Sequence, residues 1–168
     1  MIVIDKSILI EMRKAIKNND LEKVKFLTEN NKGILEEETP FGTFLHDAAS
    51  YGKNEILKYF IEWGIDVNKN SGFRNGSAIT DAAFEGNLDI VELLYNHDAI
   101  LDVSTFARNP LFAAIYNDHF DVVKFLVEKR IDIKASYPIG DIDNCDAYEY
   151  ARQYGRTEIA EYLKNCSL

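Results

Sequence analysis

The oxygen-rich segment Asp141-Ile-Asp-Asn-Cys-Asp146 is the part of the sequence that most resembles a metal site. Alternating carboxylates in a short loop are the ligands that Ca²⁺ prefers. This segment lacks the central glycine that turns a calcium loop and the distal glutamate that closes it, so its oxygen atoms would not converge on one ion. We therefore expect no metal here, and we interpret Asp146 as the residue that caps the following helix.

Two cysteines and three histidines are the remaining candidates for catalysis. Cys145 and Cys166 lack the spacing of metal ligands, which favours free thiols in a reducing compartment over a disulfide. A thiol enzyme would need one of them beside a histidine. His46, His97 and His119 lie in separate segments, and no nucleophile or metal-spaced cysteine stands next to them. The sequence therefore predicts no catalytic residue and no cofactor.

Four segments of the chain share one residue pattern. The segments are Thr43–Gly52, Ser77–Gly86, Asn109–Asp118 and Asp146–Gly155. Their last positions are 52, 86, 118 and 155, so successive copies are 34, 32 and 37 residues apart. Self-similarity at this period indicates a stack of supersecondary units.

Each copy predicts a pair of short helices. The first residue has a side-chain oxygen that can accept a hydrogen bond from a free amide of the first helical turn. Alanines then recur at helical spacing, and they allow a neighbouring helix to approach closely. After the turn, a second apolar stripe has the i, i+1, i+3, i+4 spacing of an amphipathic helix. These stripes begin at Ile56, Ile90, Val122 and Ile159.

The pattern resembles the ankyrin repeat, with its Thr-Pro-Leu-His helix and its closing Gly-Ala-Asp-Val-Asn. The closest matches are Thr43–His46 and Gly64–Asn68, and residues 7–35 fit as a degenerate first unit with Asn19 at the glycine position. The resemblance implies an all-α ankyrin-repeat solenoid of about five helix-turn-helix units with finger loops. We expect one domain over residues 1–168, with units of about 7–38, 39–72, 73–105, 106–141 and 142–168.

Departures from the family pattern give local expectations. Only His46 retains the family histidine, which we expect to brace its turn by hydrogen bonding. The glycine after the second helix is retained as Gly64, and we assign its place elsewhere to Asn31, Asp98 and Arg130. Because arginine disfavours a left-handed backbone, we expect strain or a different turn at Arg130.

Charge and hydropathy exclude several classes of function. The 168 residues carry 28 acidic and 19 basic side chains, which gives a net charge of −9. A negative protein repels phosphate backbones, so we expect no nucleic-acid partner and favour a basic protein instead. No apolar run reaches the ~20 residues of a membrane helix, and the N-terminus makes a poor secretory signal. We expect a cytoplasmic monomer that does not bind membranes.

The resemblance also implies where a partner would bind. In an ankyrin stack, the two positions before the turn glycine point into the concave groove, and here each such pair contains an aromatic residue. Aromatic side chains are enriched among binding hot spots. Packing of some rings against the neighbouring repeat is the alternative. The groove residues that we expect to bind a partner are Tyr51, Phe84, Glu85, Tyr116, Asn117 and Tyr154, with Asp47 and Asp81 one turn earlier.

The finger loops are a second candidate surface. Phe41, Phe73 and Phe106 each lie in a loop of turn-forming residues, and we expect them to contribute to partner binding. The finger at residues 135–144 is the longest and accounts for the 37-residue step. It is either a further contact with a partner or an extra turn without a role.

The leading hypothesis for function is a non-enzymatic protein-binding module that masks its partner. Within it, we favour an inhibitor or immunity protein that neutralises a basic toxin or enzyme. An adaptor, scaffold or microbial effector that binds host proteins is the alternative, and it needs two separable surfaces. A structural protein that associates with itself and an enzyme with a reactive cysteine are more remote hypotheses.

Overall fold

The computed structural model describes residues 4–166 of the chain, in which ten α-helices form five successive helix hairpins. The helices are α1 Lys6–Lys17, α2 Leu21–Asn30, α3 Phe44–Ser50, α4 Asn54–Glu62, α5 Ala78–Glu85, α6 Leu88–Asn96, α7 Pro110–Tyr116, α8 Phe120–Glu128, α9 Ala147–Gln153 and α10 Thr157–Cys166. Short 3₁₀ helices lie at Ile34–Glu36 and Phe106–Arg108. The predicted all-α ankyrin solenoid is confirmed.

The hairpins stack in two layers. The odd-numbered helices pack side by side in chain order, and α2, α4, α6, α8 and α10 form the second layer. Alanine pairs such as Ala48–Ala49 and Ala82–Ala83 are fully buried between odd-numbered helices. Because alanine adds little bulk, these helices approach closely. Larger apolar residues of both layers fill one continuous core that runs the length of the stack.

The turn inside every hairpin has the same backbone conformation. The five turn residues Asn19, Gly52, Gly86, Asp118 and Gly155 have φ angles between 57° and 76°. Glycine and short polar residues adopt this left-handed conformation most readily. At Gly86 a side chain would also collide with the ring of His119, so both backbone angle and space require glycine there. The predicted register of the repeats therefore holds in all five units.

The turn after the second helix corrects one assignment. Gly64, Asp98 and Arg130 have φ angles of 83°, 64° and 63°, as the repeat pattern requires. In the first unit, however, Asn31 has φ −131° and Gly33 takes the left-handed position with φ 84°. The left-handed turn lies two residues later than the repeat pattern predicts, because α2 extends to Asn30. Arg130 keeps the turn of the family at a cost of about 1 kcal/mol relative to glycine.

Side chains connect successive units through backbone carbonyls. The Nδ1 atom of His46 lies 2.8 Å from Thr43 Oγ1, and its Nε2 atom lies 3.1 Å from the carbonyl oxygen of Gly76 in the next finger. One repeat later, the hydroxyl of Thr80 donates to the carbonyl of Arg108 over 2.8 Å. His46 therefore has the bracing contact that its position predicts, and Thr80 makes the equivalent contact without an imidazole.

The helix caps and fingers show further local differences. Asn109 and Asp146 accept capping hydrogen bonds from backbone amides, whereas the side chain of Ser77 makes none. The last finger folds into an antiparallel hairpin of β1 Tyr137–Ile139 and β2 Ile142–Cys145. This hairpin adds a small sheet to the helical fold.

Candidate binding groove

The turns at the ends of the odd-numbered helices place three predicted aromatic residues in a continuous column. The rings of Phe84 and Tyr116 stack with centroids 5.9 Å apart and planes at 15°. The ring of Tyr116 also lies 5.2 Å from that of Tyr154. Tyr116 and Tyr154 are 42% and 41% exposed, so the column faces solvent as well as itself. Tyr51 is exposed too, but it does not extend the column: its ring lies 5.9 Å from the Nζ atom of Lys17.

Two buried rings and one finger residue extend this column into a cleft. The ring of Tyr150 lies 4.5 Å from that of Tyr154 and 4.8 Å from that of Phe112. Phe106, in the finger above, contacts Phe112, Tyr150 and Tyr137 edge-on. The cleft has a volume of about 340 Å³, and Arg74 lies at its edge.

Sequence reasoning missed Arg74, Phe112 and Tyr150 as parts of the cleft. Phe112 stands at the histidine position of its repeat, and Tyr150 stands at the position that Asp47 and Asp81 occupy earlier. For Phe112 and Tyr150, the sequence signal that could have indicated the cleft was a large ring at a position that is polar in other copies.

We call the part of the groove at α1 and α3 its first half and the part at α7 and α9 its second half. Asp47 lies in the first half, and both of its carboxylate oxygens are paired. Arg13 of α1 contacts both of its carboxylate oxygens, with Nε–Oδ2 and Nη2–Oδ1 distances of 2.7 Å and 3.1 Å. The same guanidinium lies 4.6 Å above the ring of Phe41. Burial raises the pKa of Asp47 to about 6, because it outweighs the favourable charge of Arg13. This carboxylate is used within the fold, to hold the first unit to the second.

Asp81 occupies the equivalent position one repeat later and has no such partner. It is half-buried, and its carboxylate makes no hydrogen bond or ion pair with any other residue between 4 and 166. Burial raises its pKa to about 6, Arg74 opposes the shift, and the negative charges of Glu85 and Asp47 add to it. Of the two acids at this repeat position, Asp81 is therefore the one whose carboxylate is unpaired within residues 4–166.

Arg74, whose charge opposes the raised pKa of Asp81, is engaged with a ring instead. The guanidinium of Arg74 lies 3.7 Å from the centroid of Phe84, which is a close cation–π contact. Arg74 is exposed and makes no hydrogen bond or ion pair with another residue in the described part of the chain. Glu85, on the same helix as Phe84, is exposed at the rim of the groove.

The three finger phenylalanines fall into two kinds of environment. Phe41 and Phe73 are 61% and 77% exposed and contact each other edge-on at 5.4 Å. Phe106 instead packs against the buried rings of the cleft. The first two remain candidates for a surface of their own, whereas Phe106 belongs to the groove.

Asn117 serves cohesion between repeats. Its amide donates to the carbonyl oxygen of Phe84 over 2.6 Å, so it caps the end of α5 from the neighbouring unit. Asn87 makes a similar contact to the carbonyls of Ala49 and Ser50. A partner could still reach Asn117, which is half-buried, but its amide protons already have an acceptor within the fold.

The cysteines are not placed as a catalytic pair would be. Cys145 is fully buried beneath the last finger, and burial raises the pKa of its thiol, which disfavours the reactive thiolate. Cys166 is exposed at the other end of the last unit. Within the described residues, no three His, Cys, Asp or Glu side chains come together as metal ligands would. No helix between residues 4 and 166 combines the length and the apolar character of a bilayer-crossing segment.

Five stacked helix hairpins with left-handed turns in register define a helical repeat protein. The family model for ankyrin repeats matches the chain in three overlapping copies, at residues 12–105, 45–137 and 80–167. The chain therefore belongs to the ankyrin repeat family, whose repeats are protein–protein interaction modules.

Several larger proteins contain a similar stretch. Alpha-latrocrustotoxin-Lt1a of Latrodectus tredecimguttatus is 35% identical over 145 residues, which cover 81% of this chain and 10% of that protein. Ankyrin repeat protein nuc-2 of Neurospora crassa is 30% identical over 125 residues, or 71% of this chain and 11% of that protein. Protein fem-1 homolog A-like of Mus musculus is 32% identical over 79 residues, or 47% and 12%. The matched stretch is about a tenth of the length of these relatives.

Proposed function

We propose that this chain is a non-enzymatic binding module that covers a partner protein with its groove. The observation that carries the proposal is the column of Phe84, Tyr116 and Tyr154 at the cleft of 340 Å³, in which both tyrosines are exposed. Rigid aromatic side chains give a large contact area for little loss of conformational entropy, and anchor residues of a partner favour pockets of this kind.

Charge supports a basic partner. The chain has a net charge of −9, and Asp81 and Glu85 lie in the groove without an ion pair among residues 4–166. An excess of one charge accelerates the encounter with a partner of opposite charge, and this acceleration weakens as salt screens the charges. In its most specific form, the proposal is an inhibitor or immunity-type protein of the cytoplasm that acts as a monomer and masks a basic toxin or enzyme.

An adaptor or effector is the second candidate, and the fingers favour it. Phe41 and Phe73 form an exposed aromatic pair and are not among the residues that line the cleft. Two separable surfaces are what a protein needs in order to hold two partners at once. Alanine at these two positions would then release one partner and leave the groove partner bound.

The test is an affinity purification from the source cell in which two baits and a control bait are compared side by side. One bait is the unchanged chain and the other carries Tyr51→Ala, Phe84→Ala and Tyr116→Ala. Each single substitution should weaken a groove partner by about 1–2 kcal/mol without unfolding the chain. A control bait with Phe26→Ala and Trp63→Ala removes two exposed rings outside the groove, which are 56% and 52% exposed.

The outcomes separate the candidates. A basic protein that the unchanged and control baits retain, and that the triple variant loses, supports a groove-binding module. Recovery of the same partners on all three baits contradicts groove binding and favours the fingers. Capture of no specific protein by the unchanged bait contradicts the binding module itself. Melting curves of the three baits establish that each is folded.

A further inference from the structure

The first half of the groove contains a complete arginine site built from the chain itself. Arg13 makes two hydrogen bonds to Asp47 and covers the ring of Phe41 at 4.6 Å. A planar guanidinium can donate to both oxygens of a carboxylate along one edge while its flat face stacks on a ring. The fold thus shows which side chain suits a carboxylate at this repeat position.

The next unit also offers a carboxylate and an aromatic ring, Asp81 and Phe84, but no arginine pairs with the carboxylate among residues 4–166. Asp81 is the residue 34 positions after Asp47, and Phe84 lies three residues further on, on the same side of α5. The repeat position of Arg13 is taken by His46, which lies 33 residues later, as Gly52 follows Asn19. The Nε2 atom of His46 lies against the carbonyl of Gly76, so it does not pair with Asp81.

Arg74 fills only part of this site. It covers the ring of Phe84 at 3.7 Å, but it forms no ion pair with Asp81 within 4.0 Å. Because Arg74 is exposed on a finger and has no other polar contact in residues 4–166, moving it aside breaks little besides the ring contact.

We propose that Asp81 and the ring of Phe84 receive an arginine side chain of the partner protein, which pairs with Asp81 as Arg13 pairs with Asp47 and displaces Arg74 from the ring. This inference rests on the proposed function and names the chemistry of the partner's contact. The net charge of −9 matches such a basic segment, and the neighbouring 340 Å³ cleft has room for the residues beside the arginine. Lysine is a poorer occupant, because a point charge lacks both the flat face and the paired donors.

The experiment is an NMR titration of the chain with Nα-acetyl-arginine N-methylamide. The matched probe is the corresponding citrulline amide, which has nearly the same shape and no charge. We expect saturable shifts at the amides of α5 and at the rings of Phe84 and Tyr116, with a dissociation constant in the millimolar range. The citrulline probe should bind about tenfold more weakly, since it cannot form the charge-assisted pair.

Three variants locate the contact. Asp81→Asn should weaken the arginine probe about tenfold, whereas Asp89→Asn removes the same charge from an exposed position on α6 and should change it less than about twofold. Arg74→Ala should strengthen binding about threefold, because the probe no longer competes with the internal guanidinium. Melting curves verify that each variant is folded.

The results that overturn the inference are specific. Equal binding of the arginine and citrulline probes, equal affinity of the Asp81→Asn and Asp89→Asn variants, or no shift in α5 up to about 100 mM probe would each exclude an arginine site at Asp81. The titration needs no protein partner, so it is independent of the affinity purification. A captured partner that binds the Asp81→Asn chain unchanged would leave the binding module standing and remove the arginine site.

Discussion

One repeat position changes its role from the first half of the groove to the second. It is occupied in turn by Asp47, Asp81, Ala113 and Tyr150, at steps of 34, 32 and 37 residues. In the first half, the acid is paired with Arg13 and holds two units together. In the second half, Tyr150 is buried in an aromatic cluster beneath a cleft. Asp81, in the unit between them, has no ion pair within residues 4–166, so it lacks the cohesive role of Asp47.

The largest effect should come from the aromatic cluster of the second half. Phe112→Ala should lower the free energy of unfolding by about 3–4 kcal/mol, because this ring is fully buried and contacts Phe106, Tyr137 and Tyr150. Urea denaturation followed by circular dichroism measures the loss. A loss below about 1 kcal/mol would show that the cluster is loosely packed and that the two halves do not differ in this way.

The ion pair of the first half should give the next largest effect. Arg13→Ala should cost about 2 kcal/mol, because it leaves the buried Asp47 without its partner. Arg74→Ala is the matched control for an arginine that only covers a ring, and it should cost less than about 0.5 kcal/mol. Equal costs in urea denaturation would contradict the distinction between Asp47 and Asp81.

The fingers should repeat the difference between the halves at a smaller scale. Phe106→Ala should cost about 1.5 kcal/mol, because Phe106 packs on the rings of the cleft. Phe73→Ala should cost less than about 0.5 kcal/mol, because its ring is 77% exposed. Thermal melts of the two variants measure the difference. A larger loss of stability for Phe73→Ala than for Phe106→Ala would contradict the assignment of Phe106 as the finger residue that stabilises the fold.

Asp81 should give the smallest effect, and with the opposite sign. Its pKa is raised from 3.8 in the unfolded chain to about 6 in the fold, so the folded state holds its proton more tightly. The ionised carboxylate therefore destabilises the fold, with an effect that grows from about pH 4 and is complete above about pH 6. Asp81→Asn should raise the stability at pH 7.5 by about 1 kcal/mol, after allowance for its partial exposure.

The measurement for Asp81 is a set of urea denaturation curves from pH 4 to pH 8 for both proteins. The charges that act on Asp81 are Arg74, Glu85 and Asp47, and they are the same in both. The gain from Asp81→Asn should become small towards pH 4, where the carboxyl group is protonated in the folded state and begins to be protonated in the unfolded chain as well. A gain that is independent of pH would exclude the ionised carboxylate as its cause.

The overall fold could be predicted from the sequence because it depends on local, repeated signals. Turn residues at positions such as Gly52 and Gly155, together with capping residues and apolar stripes, fix the hairpins and their register. The first unit was assigned less well: the left-handed turn was expected at Asn31 and lies at Gly33, since the length of α2 decides which residue comes into place.

The site was harder to predict because its properties depend on neighbours in other units. Asp47 and Asp81 are each followed by two alanines in the same repeat pattern, and only the stacking of α1 on α3 brings Arg13 to one of them. The contact between Arg74 and Phe84 likewise joins a finger to a helix. Side-chain directions within one repeat were accessible from the pattern, whereas pairing between repeats required the structure.

The hydroxyl of Tyr137 has a consequence for the longest finger. It donates to the carbonyl oxygen of Val103 over 2.7 Å and accepts from the amide of Asn109 over 3.0 Å. A protease cleaves a loop only after several residues have detached into an extended form. The finger whose length would suggest easy digestion is tied at its base to the preceding finger, so we expect limited proteolysis to cut it slowly.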